Sequence, residues 1–314
     1  METGALTRDA GGGGPGGCRA DEDWFAPFRP WMPPGDPRPA GRIDLEALNR
    51  LAAARGLHAE GGLPLRFADA NEVGPAAYER VIRERGEVPT RLAGPGMLHD
   101  WFNAMAWLAW PRTKARLNRL QSDALAACDE RASRRGALRD AATLFDESGA
   151  LFVCTDPALV DALRRFDWRA LFVEGRDRFR AAARVHLVGH GLGEKLLAPY
   201  KALCAHAWIV QAPPDAPVDA LAGDALDAAA SAQLQPDTLR AAALCPLPLL
   251  GVPGWWPDNA DPVFYDDPQV FRAGRRAGPR QRKIRTGAGR AIAGCGAQAP
   301  SLEEGPDSTG QDAG

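Results

Sequence analysis

Apolar residues recur three and four positions apart through most of the chain, and this spacing predicts helices near 43–55, 74–85, 99–121, 138–146, 157–166, 191–205 and 217–230. Ile43, Leu45, Leu48 and Leu51 mark the apolar stripe of the first. Trp101, Met105 and Leu108, with Phe102 and Ala109 beside them, mark that of the third, and Pro111 predicts a bend or break within it. Four short runs, 63–67, 150–154, 184–188 and 207–211, read as strands too brief to define a sheet order. Between 245 and 271, Pro246, Pro248, Pro253, Pro257, Pro262 and Pro268 forbid a long helix, so an extended strap around the domain is expected. The pattern describes a mainly α protein with a few short strands, of the α+β class, as one compact domain with a C-terminal Pro/Trp-rich strap.

The pattern fades at both ends. Residues 1–22 are glycine-rich, and 273–314 hold too little apolar surface to offset the entropy of ordering, so both are expected to be disordered around a globular domain at 23–272. With 45% apolar and 25% charged residues, the chain has an ordinary globular composition, and a net charge of -2 exerts no whole-chain pull on nucleic acid or anionic membrane. Only 275–290, with seven basic residues and no acid, offers phosphate contacts, and no aromatic is interleaved there to stack a base.

No basic leader followed by an apolar run opens the chain, so the cytoplasm is the expected compartment. The apolar-looking region 185–210 is interrupted by His186, His190, Glu194, Lys195, Lys201 and His206, which excludes a membrane span there. Six scattered cysteines without a C-x-x-C pair read as thiols rather than as disulfides or a zinc knuckle. Arginine supplies 34 of the 38 basic residues, so a lysine is uncommon in this chain. Three of the four, Lys114, Lys195 and Lys201, fall in its densest motifs.

Those motifs carry the candidate chemistry. In HDWFNAMAWLAWPRTK, His99, Asp100 and Asn103 stand together at the start of an apolar helix. Asp100 reads equally as a helix cap accepting the N–H of Asn103. Arg112, Lys114 and Arg116 then read as a solvated basic face. In RDAATLFDESGALF, Asp140, Thr143, Asp146 and Glu147 offer hard oxygen ligands or a site for a hydroxylated substrate. Asp-Glu-Ser-Gly is also an ordinary turn, with Gly149 taking a positive φ.

The segment VHLVGHGLGEK imitates the elbow that presents a nucleophilic serine, but Gly191 occupies the serine position, so serine-hydrolase chemistry there is excluded. Its glycines do not match the G-x-G-x-x-G dinucleotide spacing. A helix running from Val185 would align His186, His190 and Glu194 on one side, a set suited to Zn²⁺ or Fe²⁺; the alternating 184–188 run argues instead for a strand. Leu192, Leu196, Tyr200 and Leu203 are the expected core stripe beyond it. His206, inside an apolar run, needs a partner.

Taken together, HDWFNAMAWLAWPRTKARLN, RDAATLFDESGALF, GHGLGEKLLAPYKALCAHAW and LGVPGWWPDNADPVFYDDPQVFR occur in the order found in the domain of unknown function 3025 family, which the chain resembles over about residues 23–272. The resemblance implies bacterial origin and a shared fold, and it implies no activity.

Two function classes remain open. One is an enzyme whose His99, Asp100, His190, Glu194 and His206 meet in one pocket for acid/base or metal-assisted hydrolytic chemistry, aided by Asn103, Asp140, Lys195 or Lys201, with a divalent metal as the candidate cofactor. The other is a non-catalytic binding or assembly module presenting Trp255 and Trp256 of the strap to a partner. Adjacent exposed indoles would favour the second.

Overall fold

In the computed structural model, residues 18–74, 77–126 and 132–274 are described. The tails expected to be disordered, including the basic run 275–290, lie outside them except for residues 18–22, which are placed, and 273–274. The fold is mainly α with two small sheets.

The apolar stripes become helices α1 (Leu45–Arg55), α2 (Ala70–Val73), α3 (Tyr78–Arg85), α4 (Met97–Ala109), α5 (Pro111–Ala126), α6 (Ala132–Ser148), α7 (Pro157–Arg165), α8 (Arg176–Ala182), α9 (His190–Lys195) and α10 (Gly223–Gln233). Pro111 does separate two helices, and it opens α5 at the position where a missing N–H costs nothing. The first N–H groups of α5 are satisfied from another helix. Buried Asp227 of α10 accepts from the backbone of Arg112 at 2.8 Å and of Thr113 at 2.9 Å.

Strands β1 (Arg66–Asp69) and β2 (Glu87–Thr90) pair in parallel as a two-stranded sheet. The larger sheet has the order β4 (Ala183–Leu187), β3 (Gly149–Cys154), β5 (Cys204–Gln211), β6 (Cys245–Pro248). β3 runs parallel to β5, and both outer pairs are antiparallel. Every residue of β3 is buried, as a central strand covered on both faces requires.

Several expectations change. The helix expected over 191–205 stops at Lys195, ahead of Pro199, and Cys204 already belongs to β5, so Tyr200 is exposed rather than part of the core. The strap begins as a strand: β6 tolerates Pro246 and Pro248 because it is an edge, where half of the backbone N–H groups need no partner. Beyond it, short 3-10 turns carry the chain to Asp266. Trp255 is buried edge-on to Trp24 at 6.3 Å, and half-buried Trp256 packs against the core, so the adjacent exposed indoles of a docking strap are not present. Among the described residues, no helix is long and apolar enough to cross a membrane.

The sheet order is what assembles the site. Because β3 and β4 are antiparallel neighbours with Ala150 opposite Leu187, the end of α6 entering β3 lies beside the end of β4 entering α9. The backbone N–H groups of Val188 and Gly189 both donate to the Gly149 carbonyl, at 3.0 and 2.8 Å. Short α9 then packs against both α4 and α6.

Candidate metal centre

The glycines of the G-H-G-L-G segment make that packing possible. A Cβ on Gly189 would stand 2.5 Å from the Gly149 nitrogen, one on Gly191 2.7 Å from Glu147 Oε2, and one on Gly193 2.5 Å from the Phe102 ring. α9 therefore approaches α6 and α4 more closely than any side-chain-bearing backbone allows. Gly149 serves in the same way. Its φ is not positive; a Cβ there would lie 2.2 Å from the Phe145 carbonyl oxygen.

At this junction three donor atoms from three helices converge. His99 Nε2 of α4 lies 3.0 Å from His190 Nε2 of α9, and Glu147 Oε1 of α6 lies 3.3 Å from His190 Nε2 and 3.6 Å from His99 Nε2. A point about 2.1 Å from each atom, a usual zinc–ligand bond length, falls about 0.8 Å off the plane of this triangle. The triangle therefore has the dimensions of one face of a metal coordination polyhedron, and the three residues form the one candidate ligand group found among the described residues. His190 is buried while the His99 and Glu147 side chains are 31% and 42% exposed, so water reaches the open side.

Each imidazole is backed by a carboxylate. His99 Nδ1 is 3.2 Å from Glu194 Oε2, so α9 supplies both His190 and the partner of the other histidine, four residues apart. Behind His190, Asp146 Oδ2 lies 3.8 Å from Nδ1, a buried nitrogen with no hydrogen-bond partner. A carboxylate bonded to Nδ1, as Glu194 is to His99, fixes the ring orientation and tautomer that leave Nε2 free to bind a cation. The hydrogen bond to His190, with the charges of His190, His99 and Lys114, holds the Glu147 carboxyl down at about 2 against the cost of its burial.

Asp146 is fixed in turn by Lys114, whose Nζ donates to Asp146 Oδ1 at 2.5 Å and to Asn103 Oδ1 at 2.9 Å. Lys114 is only 2% exposed, so the solvated basic face expected at Arg112, Lys114 and Arg116 is wrong for its central member. Asn103 Nδ2 donates to the Tyr78 hydroxyl at 2.7 Å. His99, Asp100, Asn103, Asp146, Glu147 and His190 all line one hollow of about 220 Å³, with Tyr78 among its further walls.

Asp100 does not cap the helix. Gly96 occupies the cap position, and the Asp100 carboxylate instead accepts from the Arg91 backbone at 2.7 Å and from its guanidinium at 2.8 and 2.7 Å. The Asp146–Ser148 stretch is the last turn of α6, not a loop, which is how Glu147 comes to face His190.

The remaining sequence candidates lie elsewhere. The alignment of His186, His190 and Glu194 on one helix does not form, since His186 belongs to β4, edge-on to Trp110 at 6.2 Å. Burial, aided by Arg184, pushes its imidazole down to about 4. His206 sits in β5, opposite Gly149 and Pro246, and is not a wall of the hollow. Asp140 is exposed on α6 and Lys195 is exposed on α9. Lys201 pairs with Asp267 at 3.1 Å over the Phe264 ring. Glu147 and Asp146 are among the oxygen ligands read from RDAATLFDESGALF, whereas Lys114 and Tyr78 are the parts of the site that the sequence does not single out as candidates. The scarcity of lysine was the signal available for Lys114, and nothing local marked Tyr78.

Residues 65–275 match the family described as Protein of unknown function (DUF3025), beginning later than the resemblance read from the motifs. No curated protein and no solved structure matches the chain.

Proposed function

The chain belongs to the DUF3025 family, whose description names no activity, and from the site's geometry we propose that it is an enzyme holding a divalent transition metal on His99, His190 and Glu147 for hydrolytic chemistry. The observation that carries this reading is the triangle of two Nε2 atoms and one carboxylate oxygen, each imidazole backed by a carboxylate. Two imidazoles and one carboxylate are a donor set for Zn²⁺ or Fe²⁺ that leaves coordination positions for water and substrate.

The protein's share of the chemistry follows from its own groups. A bound ion supplies a nucleophile at neutral pH by lowering the pKa of water. Glu194 keeps the His99 ring turned so that Nε2 faces the hollow, while Asp146, anchored by Lys114, lies 3.8 Å behind His190 Nδ1 as the nearest carboxylate without bonding to it. Glu147 supplies the anionic oxygen beside the two imidazoles. Without an ion, one imidazole must donate its Nε2 hydrogen to the other across 3.0 Å, whereas an ion accepts both lone pairs.

Metal analysis of the purified protein, followed by Zn²⁺ and Co²⁺ titration of the stripped chain, tests the reading. Stoichiometric uptake with a Kd below micromolar is expected, reduced at least 100-fold in His99→Ala, His190→Ala and Glu147→Gln. Equal affinity in these variants, or no uptake of Zn²⁺, Co²⁺, Mn²⁺ or Fe²⁺, would overturn it.

A further inference from the structure

The buried chain Lys114–Asn103–Tyr78 does more than fill space. The Lys114 ammonium donates to the Asn103 carbonyl oxygen, and the Asn103 amide nitrogen donates to the Tyr78 oxygen. A cation at the head of such a chain polarises each bond in turn, so the last group becomes a stronger donor than an isolated phenol. Tyr78 is that last group. Its oxygen receives a hydrogen bond, while its own hydroxyl hydrogen has no acceptor among the described residues and Tyr78 walls the same hollow as His99, His190 and Glu147.

Tyr78 is half-buried, and its free O–H borders the space where a substrate would meet the metal. The other cation on the wall, Arg91, holds Asp100 through Nε and one terminal nitrogen and keeps its second terminal nitrogen for a further acceptor. Resting on the metal reading above, we infer that the hollow takes a small oxyanionic group, a carboxylate or phosphate, with one oxygen at the His99–His190–Glu147 triangle and a second accepting from the Tyr78 hydroxyl. Tyr78 is thereby a substrate-contacting donor at the position where negative charge is held, and Asn103 and Lys114 position and polarise it. Burial raises the Tyr78 phenol well above its usual range, in keeping with a group that stays protonated and donates.

The test uses the full chain loaded with Co²⁺, whose visible spectrum reports ligands entering the coordination sphere, titrated separately with sodium acetate, inorganic phosphate and azide. Acetate and phosphate should perturb the spectrum, and Tyr78→Phe should weaken both at least tenfold while Co²⁺ affinity and azide binding stay within about twofold of wild type. Asn103→Leu, which keeps the phenol but cuts the relay, should weaken acetate and phosphate about threefold. Wild-type affinities for acetate and phosphate in Tyr78→Phe would overturn the inference and leave the metal reading standing. Failure of the wild-type chain to take up Co²⁺ would remove both.

Discussion

Gly191 offers a way to disturb the proposed metal site while leaving the fold intact. A methyl group placed there meets Glu147 Oε2 at 2.7 Å and the Glu147 carbonyl oxygen at 3.0 Å. An ordinary carbon–oxygen contact needs about 3.3 Å, so something must open by about 0.6 Å. The carboxylate is the end of a flexible, 42%-exposed side chain and yields before the backbone does. Since Oε1 and Oε2 move as one rigid group, Oε1 leaves its corner of the triangle by a similar distance, several times the roughly 0.2 Å tolerance of metal–ligand bonds.

The φ of Gly191 is not in the left-handed region, so alanine adopts the backbone without strain. Its better helix propensity, up to about 1 kcal/mol, offsets the tighter contact with the carbonyl. Gly191→Ala should therefore lower Zn²⁺ affinity about 10- to 100-fold, the range typical when a site's geometry is disturbed. Stability of the metal-free chain should stay within about 1 kcal/mol, a shift in Tm of only a few degrees at this size. Competition against a chromogenic chelator measures the first, and thermal unfolding in excess EDTA the second. Unchanged Zn²⁺ affinity would refute the assignment of Glu147 as a ligand, and a large fall in the EDTA melting temperature would show that the backbone, not the carboxylate, takes the strain.

Other expectations follow from buried charge. Lys114→Met strands Asp146 in the interior and should cost about 3–5 kcal/mol in urea unfolding, most of it recovered in Lys114→Met/Asp146→Leu, which removes both charges; an additive double variant would contradict the pairing. Asp227→Ala removes the acceptor for two α5 N–H groups and should lower stability by about 1–2 kcal/mol, with Asp227→Asn less harmful; an unchanged urea midpoint would sink the capping role. His186, held at about 4 in the fold against about 6.5 unfolded, favours the unfolded state when protonated. Its contribution is present above pH 6.5 and lost as the pH falls towards 4, by roughly 2 kcal/mol after allowance for partial exposure. His186→Phe should therefore show a shallower loss of stability between pH 7 and pH 4.5 than the wild type, and parallel curves would count against it.

How legible the site was depends on the range of the interactions that build it. The pairs His99–Asn103 and His190–Glu194 are each four residues apart on one helix, and periodicity alone puts each pair on one face. Glu147 is different. Its local sequence, Asp-Glu-Ser-Gly, fits a turn as well as a helix end, and what decides between them is the burial of Phe145 and the entry of Gly149 into a central strand. Its partnership with His190 follows from β3 pairing with β4, a contact some forty residues apart along the chain that no local pattern encodes. His206, a candidate in the sequence, sits in β5 and does not line the hollow. It lies beyond the end of the helix, in a run that enters the sheet, so only the tertiary fold decides which face it meets. The glycines at 189, 191 and 193 hold the key that the sequence displayed without its meaning. They looked like a failed nucleophile elbow, yet the property that disqualifies them from that role, the lack of any side chain, lets α9 lie close enough to α6 for an imidazole and a carboxylate to share one point in space.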